Sequence, residues 1–164
     1  MAEQEDLDIE FVRKDMRDFK REENFEVVLN LSTSLSFFED EEENIGVLKN
    51  VHNSLKPKGK FILDVMGKEI LARIFEEKDW HETDEGFKLE ERTVDKDWSW
   101  IEIRRILITE QGQKEYNPSH WIYSAKELKN MLKQVGFSSI EVYGNYDGEP
   151  YDEKADRLVV LAEK

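Results

Sequence analysis

Cysteine is absent from this 164-residue chain. Its absence excludes disulfides, a thiol nucleophile and thiolate metal sites, and it fits an intracellular, cytoplasmic protein. Proline is scarce, with 3 residues, and the 8 glycines are scattered. No pair of them forms a strand–Gly-x-Gly–helix turn, and no Walker loop is present, so no Gly-rich cradle for a phosphate or cofactor is visible. Apolar runs are far too short to cross a bilayer, and the opening "MAEQEDLD" is acidic with no apolar leader core. Positive charge is the minority: 24 Lys and Arg against 38 Asp and Glu give a net charge of -14. A surface this acidic repels phosphate backbones and anionic lipid, which argues against nucleic acid or membrane as the main partner. Histidine is limited to His52, His81 and His120, and their spacing matches no metal motif, so no metal is expected. His81 and His120 each adjoin a tryptophan, which leaves open that folding brings them together. There is no Gly-x-Ser-x-Gly elbow, and the serines of "STSLS" have no identifiable base.

What remains reads as a single α/β domain over 1–164. "DIEFVRKDM" predicts a short strand at Ile9 to Arg13, and "NFEVVLNL" a second, apolar enough at Val27, Val28 and Leu29 to be covered on both faces. "EDEEENIGVLKNVHNSL" predicts a helix with acids at its start and Ile45, Leu48, Val51 and Leu55 on one face, ended by Pro57 and Gly59. "KFILDVM" follows as a buried strand, completing a parallel crossover unit. "KEILARIF" is a short helix with Ile70, Leu71, Ile74 and Phe75 inward. From about 78 to 123 the chain is extended and β-rich, an antiparallel insert with turns at "DKD" and "EQGQ". "SAKELKNMLKQVGF" resumes the body as a helix with a Ser124–Glu127 capping box, inward Leu128, Met131, Leu132 and Val135, and a Gly136 stop. "SIEVYG" and "RLVVLAEK" are the closing strands.

In parallel α/β sheets, ligands bind beyond the carboxyl ends of the strands. Asp15, Leu31, Ser32, Thr33 and Asp64 fall at such ends. Asp64, inside an apolar strand, is either hydrogen-bonded scaffolding or a ligand-facing carboxylate. All four tryptophans lie between Trp80 and Trp121. Trp98 and Trp100 would share one face of a strand, and the group forms either the insert's own core or an aromatic lid suited to a cationic or apolar ligand.

Taken in order, "DIEFVRKDMRDF", "FEVVLNLSTSLSFFEDEEEN", "VLKNVHNSLKPKGKFILDV", "DWHETDEGFKLEERTVD", "YSAKELKNMLKQVGFSSIEVYGNYDGEPYD" and "RLVVLAEK" resemble class I S-adenosylmethionine-dependent methyltransferases. The likeness is to the small-molecule type with a β-rich insert before the penultimate helix, and it runs from about Leu7 to Lys164. It implies a Rossmann-like methyltransferase sheet, incomplete on its N-terminal side. The family's first strand, Gly-rich turn and second strand have no counterpart, and Met1 to Asp6 align with the end of the helix after that second strand.

By resemblance, Asp15 and Met16 match the pair that reads adenine, and Leu31 and Ser32 line the methionine portion and the transferable methyl. Trp80, Arg92, Tyr123 and Tyr146 fall where the acceptor pocket is shaped. The implied cofactor is S-adenosylmethionine, if the missing strands are supplied, and the implied acceptor is a small molecule. The family strand order is third, second, first, fourth, fifth, seventh, sixth, so "FEVVLNL" should have a bared edge. Either "IEFV" moves across to pair with it, over a link of about ten residues that is short for a parallel crossover, or a second copy or complementing chain covers it. The alternative function is an inactive methyltransferase-like module for binding or oligomerisation.

Overall fold

The computed structural model describes residues 8–95 and 97–164. The alignment of Met1 to Asp6 with a helix end lies outside these described residues. In chain order the elements begin with β1 (Phe25–Asn30), α1 (Glu41–Ser54), β2 (Leu55–Val65) and α2 (Lys68–Ile74). The insert supplies β3 (Lys78–Thr83), β4 (Gly86–Val94), β5 (Trp100–Thr109), β6 (Gly112–Tyr116) and β7 (Ser119–Trp121). The chain closes with α3 (Ala125–Val135), β8 (Ser139–Tyr143) and β9 (Leu158–Glu163).

The body is a four-stranded sheet in the order β1-β2-β9-β8. The β1–β2 pair is parallel, and β9 runs antiparallel to both β2 and β8. This is the arrangement the resemblance implies for fourth, fifth, seventh and sixth strands. α1 starts where Asp40 accepts a hydrogen bond from the Glu42 amide at 3.0 Å, with Glu41, Glu42 and Glu43 at the positive end of its dipole. It ends at Ser54 because the following Lys56-Pro57 pair disfavours helical backbone. α3 carries the full Ser124–Glu127 capping box and a left-handed Gly136 at φ 119°. Leu48 of α1 and Leu128 and Leu132 of α3 pack with Phe61, Leu63 and Val160 of the sheet into one core.

The insert folds into a separate sheet, β3-β4-β5-β6, with β7 paired to the first part of β5. Gly86 opens β4 at φ 140°, where a Cβ would strike the Ile108 carbonyl oxygen, so the tight β3–β4 turn requires glycine there.

Four expectations are corrected. Ile9 to Arg13 is irregular rather than a strand, and Ile9, Phe11 and Val12 are exposed. A strand needs a paired neighbour, and the segment has not moved across to β1, whose outer edge has no partner strand among the described residues. Nor is β1 covered on both faces: Val27 is 50% and Leu29 57% exposed, on the face that nothing among the described residues covers. Trp98 does not share a strand face with Trp100. It sits in the β4–β5 turn at φ 55°, where the Asp95 carboxylate accepts from the Ser99 and Trp100 amides, and it packs on Phe75. In α2, Ile70 is buried but Ile74 is exposed in the last turn of a helix too short to bury a full stripe.

Candidate functional site

The carboxyl ends of β1 and β2 meet at a turn of unusual backbone. Ser32 and Thr33 both lie in the left-handed region, at φ 58° and 60°. For L-residues this costs on the order of 1 kcal/mol each and persists only where neighbours enforce it. Here the enforcing group is Asp64. Its Oδ2 accepts from the Ser32 amide at 3.0 Å, and its carbonyl accepts from the Thr33 amide at 2.9 Å. The Thr33 hydroxyl in turn accepts from the Met66 amide at 3.1 Å.

Asp64 is 2% exposed yet charged. Burial alone would raise its pKa. Hydrogen bonds from Arg157, Tyr146 and the Ser32 amide outweigh that and hold it below the ordinary value. Arg157 donates Nε at 2.6 Å and Nη2 at 2.9 Å, a bidentate pair, and Tyr146 donates its hydroxyl at 2.7 Å. Asp64 is therefore scaffolding that fixes the strand-end turn and ties the loop before β9 to it. Tyr146, expected at the acceptor pocket, is largely exposed with its hydroxyl committed to Asp64.

Asp15 and Met16 are brought to the same end of the sheet through α1. Asn50 donates to the Arg17 carbonyl at 2.6 Å, and Arg17 bridges Asp15 and Glu43 while lying 4.6 Å over the Phe38 ring. Hydrogen bonds from the Arg17 side chain and amide pull the Asp15 pKa down to about 2. Met16 lines an apolar cleft of about 360 Å³ with Phe19, Val27, Leu29 and Val51, alongside β1. Asn30 lines the same cleft, and its buried Oδ1 has no partner among the described residues. Leu31, at the strand end, is 37% exposed.

The remaining expected acceptor residues do not converge. Trp80 is exposed on β3 against Phe87, and Arg92 is tied to Glu90, Asp79 and the Glu76 carbonyl. Tyr123 is 3% exposed, stacked on Trp121, and its hydroxyl has no partner among the described residues; burial pushes its pKa up. His81 pairs with Asp79 at 2.7 Å on β3, while His120 on β7 packs on Phe37, so the structure keeps the two on different strands. Among the described residues no cluster of His, Asp and Glu is arranged to hold a metal. None of their helices is long and apolar enough to cross a membrane.

Three residues outside the expected set stand out. Arg157 neutralises Asp64, while Glu39 and Glu102 meet the tryptophans of the insert at a second cavity.

No protein-family model matches the chain. Among curated proteins it is 26% identical over 164 residues to a cypemycin N-terminal methyltransferase from Streptomyces sp, covering 97% of this chain and 66% of the relative. Among solved structures it is similar to an S-adenosylmethionine-dependent methyltransferase from Clostridium acetobutylicum, with TM-score 0.80 and 17% identity, covering 99% of this chain and 67% of the other. It is also similar to a sugar N-methyltransferase from Streptoalloteichus sp, with TM-score 0.65 and 18% identity, covering 92% of this chain and 60% of the other. The chain thus spans about two thirds of the length of these relatives.

Proposed function

We propose that this chain, which has the class I S-adenosylmethionine-dependent methyltransferase fold, forms the acceptor side and part of the donor side of a methyltransferase for a nitrogen on a small molecule. The observation that carries the reading is the open β1 edge beside the Met16 cleft. There β1 has no second partner strand among the described residues, and Asn30, whose buried Oδ1 has no partner among them, lines the cleft with Val27 and Leu29. The nitrogen acceptor follows two relatives whose names specify N-methylation.

The residues present fit part of the donor. Met16 offers an apolar wall for a flat ring, Asp15 keeps one lone-pair site on Oδ2 for an exocyclic amine beside its three hydrogen bonds from Arg17, and Leu31 with Ser32 lies at the carboxyl end of β1. When bound, S-adenosylmethionine supplies an electrophilic methyl on a sulfonium. The chain's own contribution is placement and exclusion of water, since charge disperses in such a displacement and no strong acid is required. The Asp64 latch serves placement by holding the Ser32–Thr33 turn in a single conformation. The rest of the donor pocket is completed by strands paired to β1, from further polypeptide or from a second copy.

Calorimetry with S-adenosylhomocysteine over a range of protein concentrations tests this. Saturable binding that strengthens with association, and weakens about tenfold in Asp15→Ala, is expected. Self-association with no binding at millimolar ligand would instead favour an inactive methyltransferase-like module.

A further inference from the structure

The insert presents a second cavity, of about 310 Å³, lined by Glu39, Trp100, Glu102, Ser119 and Trp121. Its construction follows from strand register. Trp100 pairs with Trp121 and Glu102 with Ser119 across β5 and β7, so these four side chains share one face of the sheet. The two indoles meet at 79° with centroids 5.5 Å apart and make a corner of two aromatic walls. Glu39, from the loop that follows β1, closes the third side. That loop is docked here directly, since the Trp121 indole N–H donates to the Phe38 carbonyl at 2.9 Å.

Glu39 and Glu102 make no ion pair among the described residues, whereas Glu90, Glu91 and Glu115 of the same sheet are each paired with arginine or lysine. A corner of indole faces bordered by two carboxylates that form no ion pair among the described residues suits a positively charged group. The ring faces attract it, and the carboxylates supply charge-assisted contacts.

We infer that this cavity binds a cationic amine group of the methyl acceptor and so sets the substrate class. Its role as the acceptor site rests on the methyltransferase reading above, while its affinity for a cation does not. The loop from Leu31 to Asp40 joins the two sites: it begins at the strand-end turn and ends at the cavity wall.

Choline and dimethylbutanol, its uncharged carbon isostere, test the inference through tryptophan emission of the full chain, since the cavity holds two of the four tryptophans. Choline should shift the emission saturably and the isostere should not. Glu102→Gln and Glu39→Gln should each weaken choline binding about tenfold, and Glu110→Gln, in the remote β5–β6 turn, should leave it unchanged. Glu102 and Glu39 are exposed and outside every ion pair of the described residues, so both variants should keep the wild-type far-ultraviolet spectrum. Equal response to both probes, or choline binding indifferent to both glutamate substitutions, would overturn the inference. No donor compound enters this experiment, so its failure leaves the donor reading standing, and a failed donor titration leaves this result intact.

Discussion

Asp64 decides the shape of the strand-end turn, because it is the acceptor on which Ser32, Tyr146 and Arg157 converge. Asp64→Asn keeps the volume but leaves Arg157 half-buried without its counter-charge. Equilibrium urea unfolding should show a loss of about 3 kcal/mol. The sign of the pH effect follows from the lowered folded pKa: the stabilisation is present above the ordinary carboxylate value of 3.8 and is lost as pH falls through the folded value. Wild-type stability should therefore drop steeply below about pH 4, and the asparagine variant should lack that component of the fall. The sequence marked Asp64 as anomalous, since a carboxylate in "FILDV" needs partners. It did not name Arg157, which lies far along the chain and meets Asp64 only because β9 pairs antiparallel with β2, placing Val159 opposite Asp64. Glu39 and Glu102 were illegible for a related reason. In so acidic a chain nothing marks two particular glutamates until register sets them beside Trp100 and Trp121.

Helices α1 and α3 were readable because their signals are local: acids at one end, a capping box, a stop, and apolar spacing of 3.6. The capping box of α3 gives a direct check. Ser124→Ala removes the acceptor for the Glu127 amide and should cost about 1 kcal/mol in thermal or chemical unfolding. Strands were read less evenly. β2 and β9 announce themselves as apolar runs, but β3 is the polar "KDWHET" and owes its extension to pairing with β4. The converse failure is "IEFV", whose composition favours a strand while the described fold offers it no partner. Trp98 left its expected strand because Asp95 organises a turn around it, a side-chain effect that alternation of residue types does not reveal.

At the scale of the whole molecule, two sheets divide the work. The body sheet carries the strand-end turn and, at β1, an edge with no partner strand among the described residues. The insert sheet carries the tryptophan–glutamate cavity, and the Leu31–Asp40 loop links them. The strand order β1-β2-β9-β8 was legible through resemblance rather than from residue pattern, because periodicity fixes elements but not which strands become neighbours. The central claim is that donor binding and pairing at the β1 edge are one event. Hydrogen exchange of the chain with and without S-adenosylhomocysteine measures it directly. The account predicts that the outward amides of β1 and the amides of the Leu31–Asp40 loop gain protection together, and that Leu29→Lys, which charges the exposed face of the edge strand, diminishes both gains together. Protection of the loop while the β1 edge continues to exchange freely, or no protection at either, would contradict it.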